Sequence, residues 1–427
     1  MIAPTLLPLR VGIDARRITD RSGGVEQFVI GLASGLSKLS DGNEEYLFLT
    51  FADEEDWIRP YVHGPCRILR GPAVPRLVRW KLEAGRVLPT VRDVWHRLDT
   101  LGWRASDSLP RSDGTIERAG VEVMHFTSTS AFLTDVPSIY HPWDLQHLYL
   151  PQFFSPRQRA TRELGYRAFC EQARMVCVAA TWVKADLIKH YHLPEEKIQV
   201  VPAASVLEAY TAPRAEDLQA VRTKLHLPET FAFYPAQTWA HKNHLGLLEA
   251  LALLRSRHGL RIPFVSSGRL NEFFRKIERQ ARRLQLTDQV RFLGFVSPLE
   301  LQCLYKLCRC MVFPSKFEGF GLPLLEAFVA GVPTACSNVT CLPELAGDAA
   351  LLFDPDKPEE IAEALRRLWT DEALRRTLIE RGARNAARFS WDRTARTFRA
   401  HYRRLAGRTL TEEDRALLEA PLVSRRG

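Results

Sequence analysis

Short apolar runs alternate with longer segments of helical period along almost the whole chain, and they fall into two sets. The first reads RVGID, YLFLTF, CRIL, VEVMHF, SIYH, MVCVA and IQVVP; the second reads FAFYPA, PFVSS, VRFLGF, CMVFPS, PTACS and AALLF. Between them lie helix-patterned stretches such as VEQFVIGLASGLSKL, KNHLGLLEALALLRSR and EEIAEALRRLWTDEALRRTLIERGARNAARF. Continuous apolar runs of about four to eight residues suit strands covered on both faces. Strand–helix alternation then calls for parallel sheets with helices on either side. The expected fold is α/β, with two Rossmann-like, doubly wound domains. The polar, proline-punctuated stretch around 205–228 marks the break. It predicts an N-terminal domain over 1–205, a linker over 206–228 and a C-terminal domain from 229 to 390.

A chain of 427 residues exceeds one ordinary core, in keeping with two domains. Its 46% hydrophobic and 26% charged residues are those of a soluble globular protein. The net charge of +9 admits an acidic small molecule, nucleic acid or an anionic membrane as partner without selecting among them. Nucleic acid is disfavoured because the charge is dispersed and no binding module is recognisable. The eight cysteines form no CxxC pair and no metal-ligand spacing, and several sit in apolar runs. This fits free buried thiols in a reducing cytoplasm and argues against structural zinc. No stretch reaches the roughly 20 apolar residues of a spanning helix. The start MIAPTLLPLRVGIDARR has too short an apolar run for a signal peptide.

Ligands of doubly wound domains bind at the carboxyl ends of the strands. No GxGxxG follows the first strand, which offers only Gly23 and Gly24 ahead of a helix, so hydride transfer with a dinucleotide is disfavoured. More informative is VFPSKFEGFGLPLLEAFVAGVPTACSN. An apolar strand ends at Pro314-Ser315, a glycine-rich loop covers Lys316 to Leu322, and Pro323 suits the first turn of a helix that stops at Gly331. Free backbone N–H groups at such a loop and helix start make an anion site, and Gly319 and Gly321 allow close approach. Carboxylates there would repel phosphate unless they accept from hydroxyls. Glu318 and Glu326 therefore predict a nucleotide-sugar site, one serving a sugar and the other a ribose.

These residues resemble the E-x7-E region of the retaining glycosyltransferases of family 4, with the two-Rossmann GT-B architecture. The resemblance runs through FYPAQTWAHKNHLGLLEAL, VRFLGFVSPLELQCLYKLCRCMVFPS, ATWVKADLIKHYHLPEEKIQVVP and GIDARR…SGGVEQF, from about 10 to 400, and is weakest from about 55 to 120. It is most similar to the mannosyltransferase-type branch. It implies two domains facing a central cleft, the first for acceptor and the second for the donor. It also implies a helix over 391–410 that crosses back to the N-terminal domain. Residues 411–427 read as a solvated tail.

By resemblance, Lys242 holds the donor diphosphate, Glu318 contacts sugar hydroxyls and Glu326 the ribose. Gly319, Phe320, Gly321 and Leu322 offer backbone contacts, and Gly23 and Gly24 form the glycine loop beside donor phosphate and acceptor. Where the family often has a second phosphate-binding arginine this chain has Gln237, which can donate hydrogen bonds but not charge. The family histidine of the N-terminal domain, often followed by aspartate, has no direct match in SIYHPWDLQHLYLPQFF. Asp144 matches the aspartate but follows Trp143. His141, His147 and His125 remain open for the histidine role, with His141 and Asp144 the favoured pair.

The implied activity is transfer of a mannose- or glucose-type hexose from a GDP- or UDP-linked sugar to a hydroxyl of a glycan or lipid-linked acceptor. The implied mechanism uses neither metal nor cofactor. A catalytically silent nucleotide-sugar binder, kept open by Gln237 and the displaced histidine, and another GT-B enzyme such as an epimerase are the alternatives. The arginine- and tryptophan-bearing region 66–104 is a candidate for contact with the inner face of an anionic membrane. The plainer reading is a helix pair burying its tryptophans against the sheet.

Overall fold

The computed structural model describes residues 7–17, 23–74 and 109–419. The chain divides into two compact units. The first holds the chain up to Val178, Asp186–Val201 and the chain from Trp391 onward; the second holds Ala179–Ala185 and Pro202–Ser390.

In the first unit seven strands form one parallel sheet: β1 (Leu9–Asp14), β2 (Glu44–Thr50), β3 (Cys66–Arg70), β4 (Val123–Phe126), β5 (Ser138–Tyr140), β6 (Met175–Val178) and β7 (Ile198–Val200). Their order is β3-β2-β1-β4-β5-β6-β7, so the winding reverses between β1 and β4. Val11, Ile13, Phe48, Val123 and Phe126 have no exposed surface, as expected of central strands covered on both faces.

Helix Gly24–Leu36 leaves Gly23 and packs on helix Trp391–Leu405. Glycines make that approach feasible: a Cβ at Gly31 would stand 1.9 Å from the Trp391 ring, and one at Gly35 would stand 2.6 Å from the Trp391 carbonyl oxygen. The C-terminal helix is thus an integral part of the first unit.

Thirteen strands were expected from the apolar runs, and each run holds one. The second unit contains β8 (Ala232–Pro235), β9 (Phe264–Ser267), β10 (Val290–Phe292), β11 (Cys310–Phe313), β12 (Thr334–Ser337) and β13 (Ala350–Phe353). They form a parallel sheet of order β10-β9-β8-β11-β12-β13, with its reversal between β8 and β11. Met311 pairs with Phe233 on one side and Thr334 on the other.

Three expectations need correction. The segment 206–228 is not a linker: Val206–Ala209 forms a turn of 3-10 helix and Ala215–Lys224 an α-helix within the second unit. Burial of Val206, Leu207, Val221 and Leu227, with an ion pair of 3.0 Å between Lys224 and Glu300, holds it there. The tail is not free as far as it is described, because Glu412–Glu419 is a helix. Its Asp414 is fully buried and accepts from Arg403 at 2.8 Å. The long helical run from Glu359 is two helices, Pro358–Thr370 and Glu372–Ala386, since Asp371 breaks off to cap the second through the Leu374 N–H. Of the basic region 66–104, Cys66–Arg70 is β3 and residues 75–104 lie outside the described residues.

Among the described residues no helix is long and apolar enough to cross a membrane.

Candidate functional site

The second unit brings its predicted residues to the carboxyl ends of β8 and β11, where the strand order reverses and a crevice is topologically obligatory. The chain leaving β8 is pinned to the end of β9: Ala236 N–H donates to Ser267 O at 2.8 Å and Thr238 N–H to Arg269 O at 3.1 Å. Gly268, at φ +127°, permits this, since a Cβ there would lie 2.5 Å from the Ala236 carbonyl carbon. The loop then turns through Ala240–Lys242 into helix His244–His258. His241 stitches it to the loop after β11, its carbonyl accepting from Lys316 N–H at 2.7 Å and from the Ser315 hydroxyl at 3.3 Å.

This stitching sets Lys242 against Glu318, Nζ to Oε1 at 2.5 Å, with side chains only 19% and 12% exposed. A cation and a carboxylate 76 residues apart in sequence therefore neutralise one another at the switch point. Glu318 is held from a third side: its N–H donates to Thr340 Oγ1 at 3.2 Å, and the Cys341 thiol donates to its carbonyl at 3.2 Å. Gly321, at φ +100°, caps helix Leu322–Val329, which carries Pro323 in its first turn and ends before Gly331 at φ +71°. The Phe320 and Leu322 side chains are buried, and the Phe320 carbonyl accepts from the Cys341 thiol at 3.3 Å.

Glu326 is 1% exposed, and its Oε2 accepts from the Tyr305 hydroxyl at 2.7 Å. Its Oε1 has no hydrogen-bond partner among the described residues. Burial pushes this carboxyl up to about 7, against the opposing effect of the Tyr305 hydrogen bond. Gln237, at the end of the β8 loop, accepts at Oε1 from the indole N–H of Trp239 at 3.1 Å. Sequence reading passed over Trp239, Tyr305, Thr340 and Cys341. Only Trp239, two positions from Gln237, had a local signal.

In the first unit the predicted residues are dispersed. Gly23 and Gly24 are exposed at the start of helix Gly24–Leu36, the Gly23 carbonyl accepting from Glu26 N–H at 3.0 Å. His141 is inside the core, 1% exposed, with its Nε2 2.8 Å from Nε2 of His125, whose Nδ1 lies 2.7 Å from the Tyr402 hydroxyl. The two imidazoles share one proton across that contact, and burial brings His141 down to about 3, so it is neutral. Trp143, at φ +63°, donates its indole N–H to Thr127 O at 2.9 Å and packs edge-on against Phe28. The position before Asp144 is thereby filled by a donor with no basic nitrogen. Asp144 accepts from Gln146 N–H at 2.9 Å. His147 is buried on Glu163 at 3.0 Å.

Two parallel sheets flanked by helices, with an acid–base pair at the switch point of the second, define a two-domain α/β protein of the GT-B type. Known proteins agree. Residues 22–204 match the model of Glycosyltransferase Family 4, and residues 218–385 match that of Glycosyl transferases group 1. The chain belongs to this glycosyltransferase family.

It is 30% identical over 254 residues to O-antigen chain mannosyltransferase B of Escherichia coli, covering 58% of this chain and 66% of that protein. It is 37% identical over 183 residues to the serotype-specific mannosyltransferase WbdA of the same organism, covering 42% of this chain and 22% of that protein. The chain thus spans just under two thirds of the length of the first of these curated relatives and under a quarter of the second. Among solved structures, Anabaena Alr3699/HepE in complex with UDP and glucose superposes with a TM-score of 0.66 at 18% identity, covering 92% of this chain and 99% of that one. Sucrose-phosphate synthase from Thermosynechococcus elongatus does so with 0.66 at 20% identity, covering 93% and 99%. At such identities these two speak for the fold alone.

Proposed function

We propose that the protein transfers a mannose- or glucose-type hexose, with retention of configuration, from a GDP- or UDP-linked sugar to a hydroxyl of a glycan or lipid-linked acceptor during polysaccharide or glycolipid assembly. The observation that carries this is the Lys242–Glu318 pair at the β8/β11 switch point, which offers a cation to a diphosphate and an acceptor to sugar hydroxyls in one place. The names of the mannosyltransferase relatives support the sugar class.

In this reading Lys242 neutralises charge developing on the leaving diphosphate. The backbone at Gly319, Phe320, Gly321 and Leu322 and the amide of Gln237 complete its hydrogen bonds. Glu318 turns to the sugar. Oε1 of Glu326, without a partner among the described residues, takes a ribose hydroxyl. In the first unit Gly23 and Gly24 serve donor phosphate and acceptor, and Asp144 serves the reacting centre. His141, buried and neutral, acts through the loop it supports and not by direct proton transfer. The scheme uses no metal step.

The test is sugar transfer from GDP-mannose and UDP-glucose to glycan and lipid-linked acceptors, with EDTA present. Turnover that persists in EDTA, with an unchanged anomeric configuration, and that falls at least a hundredfold in Lys242→Ala is expected. Tight nucleotide-sugar binding with no product on any acceptor would sink the proposal and favour a silent binder.

A further inference from the structure

Resting on the reading of the β8 loop as a phosphate site, we propose that Trp239 is a positioning residue that aims the Gln237 amide at the donor diphosphate. An indole N–H can only donate, so the Gln237 atom 3.1 Å away must be the carbonyl oxygen. Fixing Oε1 on the tryptophan fixes the amide flip and turns both N–H donors to the opposite edge. Those donors have no partner among the described residues.

The frame is stiff enough for the orientation to matter. Backbone bonds tie Ala236 and Thr238 to the end of β9, Trp239 O accepts from Lys242 N–H at 3.0 Å, and the Tyr234 hydroxyl donates to Lys242 O at 3.1 Å. Gln237, Trp239 and Lys242 are therefore displayed from one rigid loop. Trp239 is 51% exposed, so burial does not account for a tryptophan there, whereas its indole bond to Gln237 does. With Lys242 already engaged by Glu318, the amide is a side-chain donor in this loop that an arriving diphosphate meets without displacing a partner.

A double-mutant cycle with UDP and GDP, read by calorimetry, tests this. Trp239→Phe keeps the ring and removes the N–H. It is expected to raise the dissociation constant about three- to tenfold, the range of one modest hydrogen bond, with the melting temperature of the free protein unchanged. In a Gln237→Ala background the same substitution should have no further effect. Equal weakening with and without Gln237 would mean that the ring contacts nucleotide itself, and no weakening in Trp239→Phe would mean that the bond orients nothing; either overturns the proposal. Lys242→Ala reports separately on the underlying reading. If wild type binds neither nucleotide, or Lys242→Ala binds as well as wild type, the phosphate site is not here and the positioning role falls with it.

Discussion

Glu318→Gln should make the protein bind nucleoside diphosphate more tightly while impairing transfer. In the free protein Lys242 and Glu318 are paired at 2.5 Å, with less than a fifth of either side chain exposed. At an effective dielectric of about 20 their gross attraction is about 6 to 7 kcal/mol. Most of that offsets the cost of holding both charges away from water. The net worth of a hydrogen bond to a charged group is about 1.5 to 3 kcal/mol. A diphosphate must compete with Glu318 for that contact and also tolerate a carboxylate beside it. Replacing the carboxylate by an amide removes both penalties, so the dissociation constants for UDP and GDP should fall by about tenfold, or about 1.4 kcal/mol.

The intact nucleotide sugar should gain less, because in the proposed scheme Glu318 also supplies its sugar contact; the affinity ratio of sugar nucleotide to free diphosphate therefore shifts toward the diphosphate. Calorimetric titration of both ligands into both proteins, at low and moderate salt, reads this directly. Unchanged or weaker diphosphate binding in Glu318→Gln, with Lys242→Ala still abolishing it, would refute the competition argument.

Glu326 gives a pH test of opposite sign to most carboxylates. Burial raises it from 4.5 to about 7, so stability that is intact below about pH 4.5 is lost as the pH rises through about 7. Glu326→Gln should match wild type near pH 4.5 and exceed it by about 3 kcal/mol at pH 8 in urea denaturation; a difference independent of pH contradicts the burial argument. If ribose hydroxyls donate to Oε1, nucleotide binding at pH 6.5 should release protons, measured by calorimetry in buffers of different ionisation enthalpy. Gly31→Ala places a Cβ 1.9 Å from the Trp391 ring and should cost about 1 to 3 kcal/mol, whereas Gly165→Ala meets its nearest atom at 3.4 Å within helix Pro156–Gln172 and should be neutral or gain up to about 1 kcal/mol. Asp414→Ala removes one of the two carboxylates on the Arg403 guanidinium, Glu44 at 2.7 Å remaining, and the acceptor of the Thr411 N–H; it should lower stability by about 1 to 3 kcal/mol, read from the denaturation midpoint, and an unchanged midpoint would mean that helix Glu412–Glu419 is not docked.

The sheets were legible because a parallel strand covered on both faces has to be a continuous apolar run, and glycines and prolines mark where each run ends. The same logic put Glu318 and the Pro323 helix start at a strand end, whereas Lys242 came from the family resemblance. What local pattern cannot carry is a contact closed through the fold. Tyr305 meets Glu326 across 21 residues and Lys242 meets Glu318 across 76. Neither neighbour announces the other, so the commitment of one Glu326 oxygen to a buried phenol is invisible in the local pattern.

The docked C-terminal segment is a different kind of miss, since its signal was local and went unread. Thr411 Oγ1 accepts from Asp414 N–H at 3.1 Å, and Asp414 Oδ2 accepts from Thr411 N–H at 2.9 Å, a reciprocal cap spelled T-x-x-D ahead of a helical run. The histidines lie between these cases. The sequence left three imidazoles open for one role, and packing distinguishes them by their partners: His147 on Glu163, His125 between Tyr402 and His141, and His141 on His125 alone, with Nδ1 of both His141 and His147 unpaired among the described residues. A nitrogen left unpaired at that depth costs free energy unless a water or a rearranged neighbour meets it.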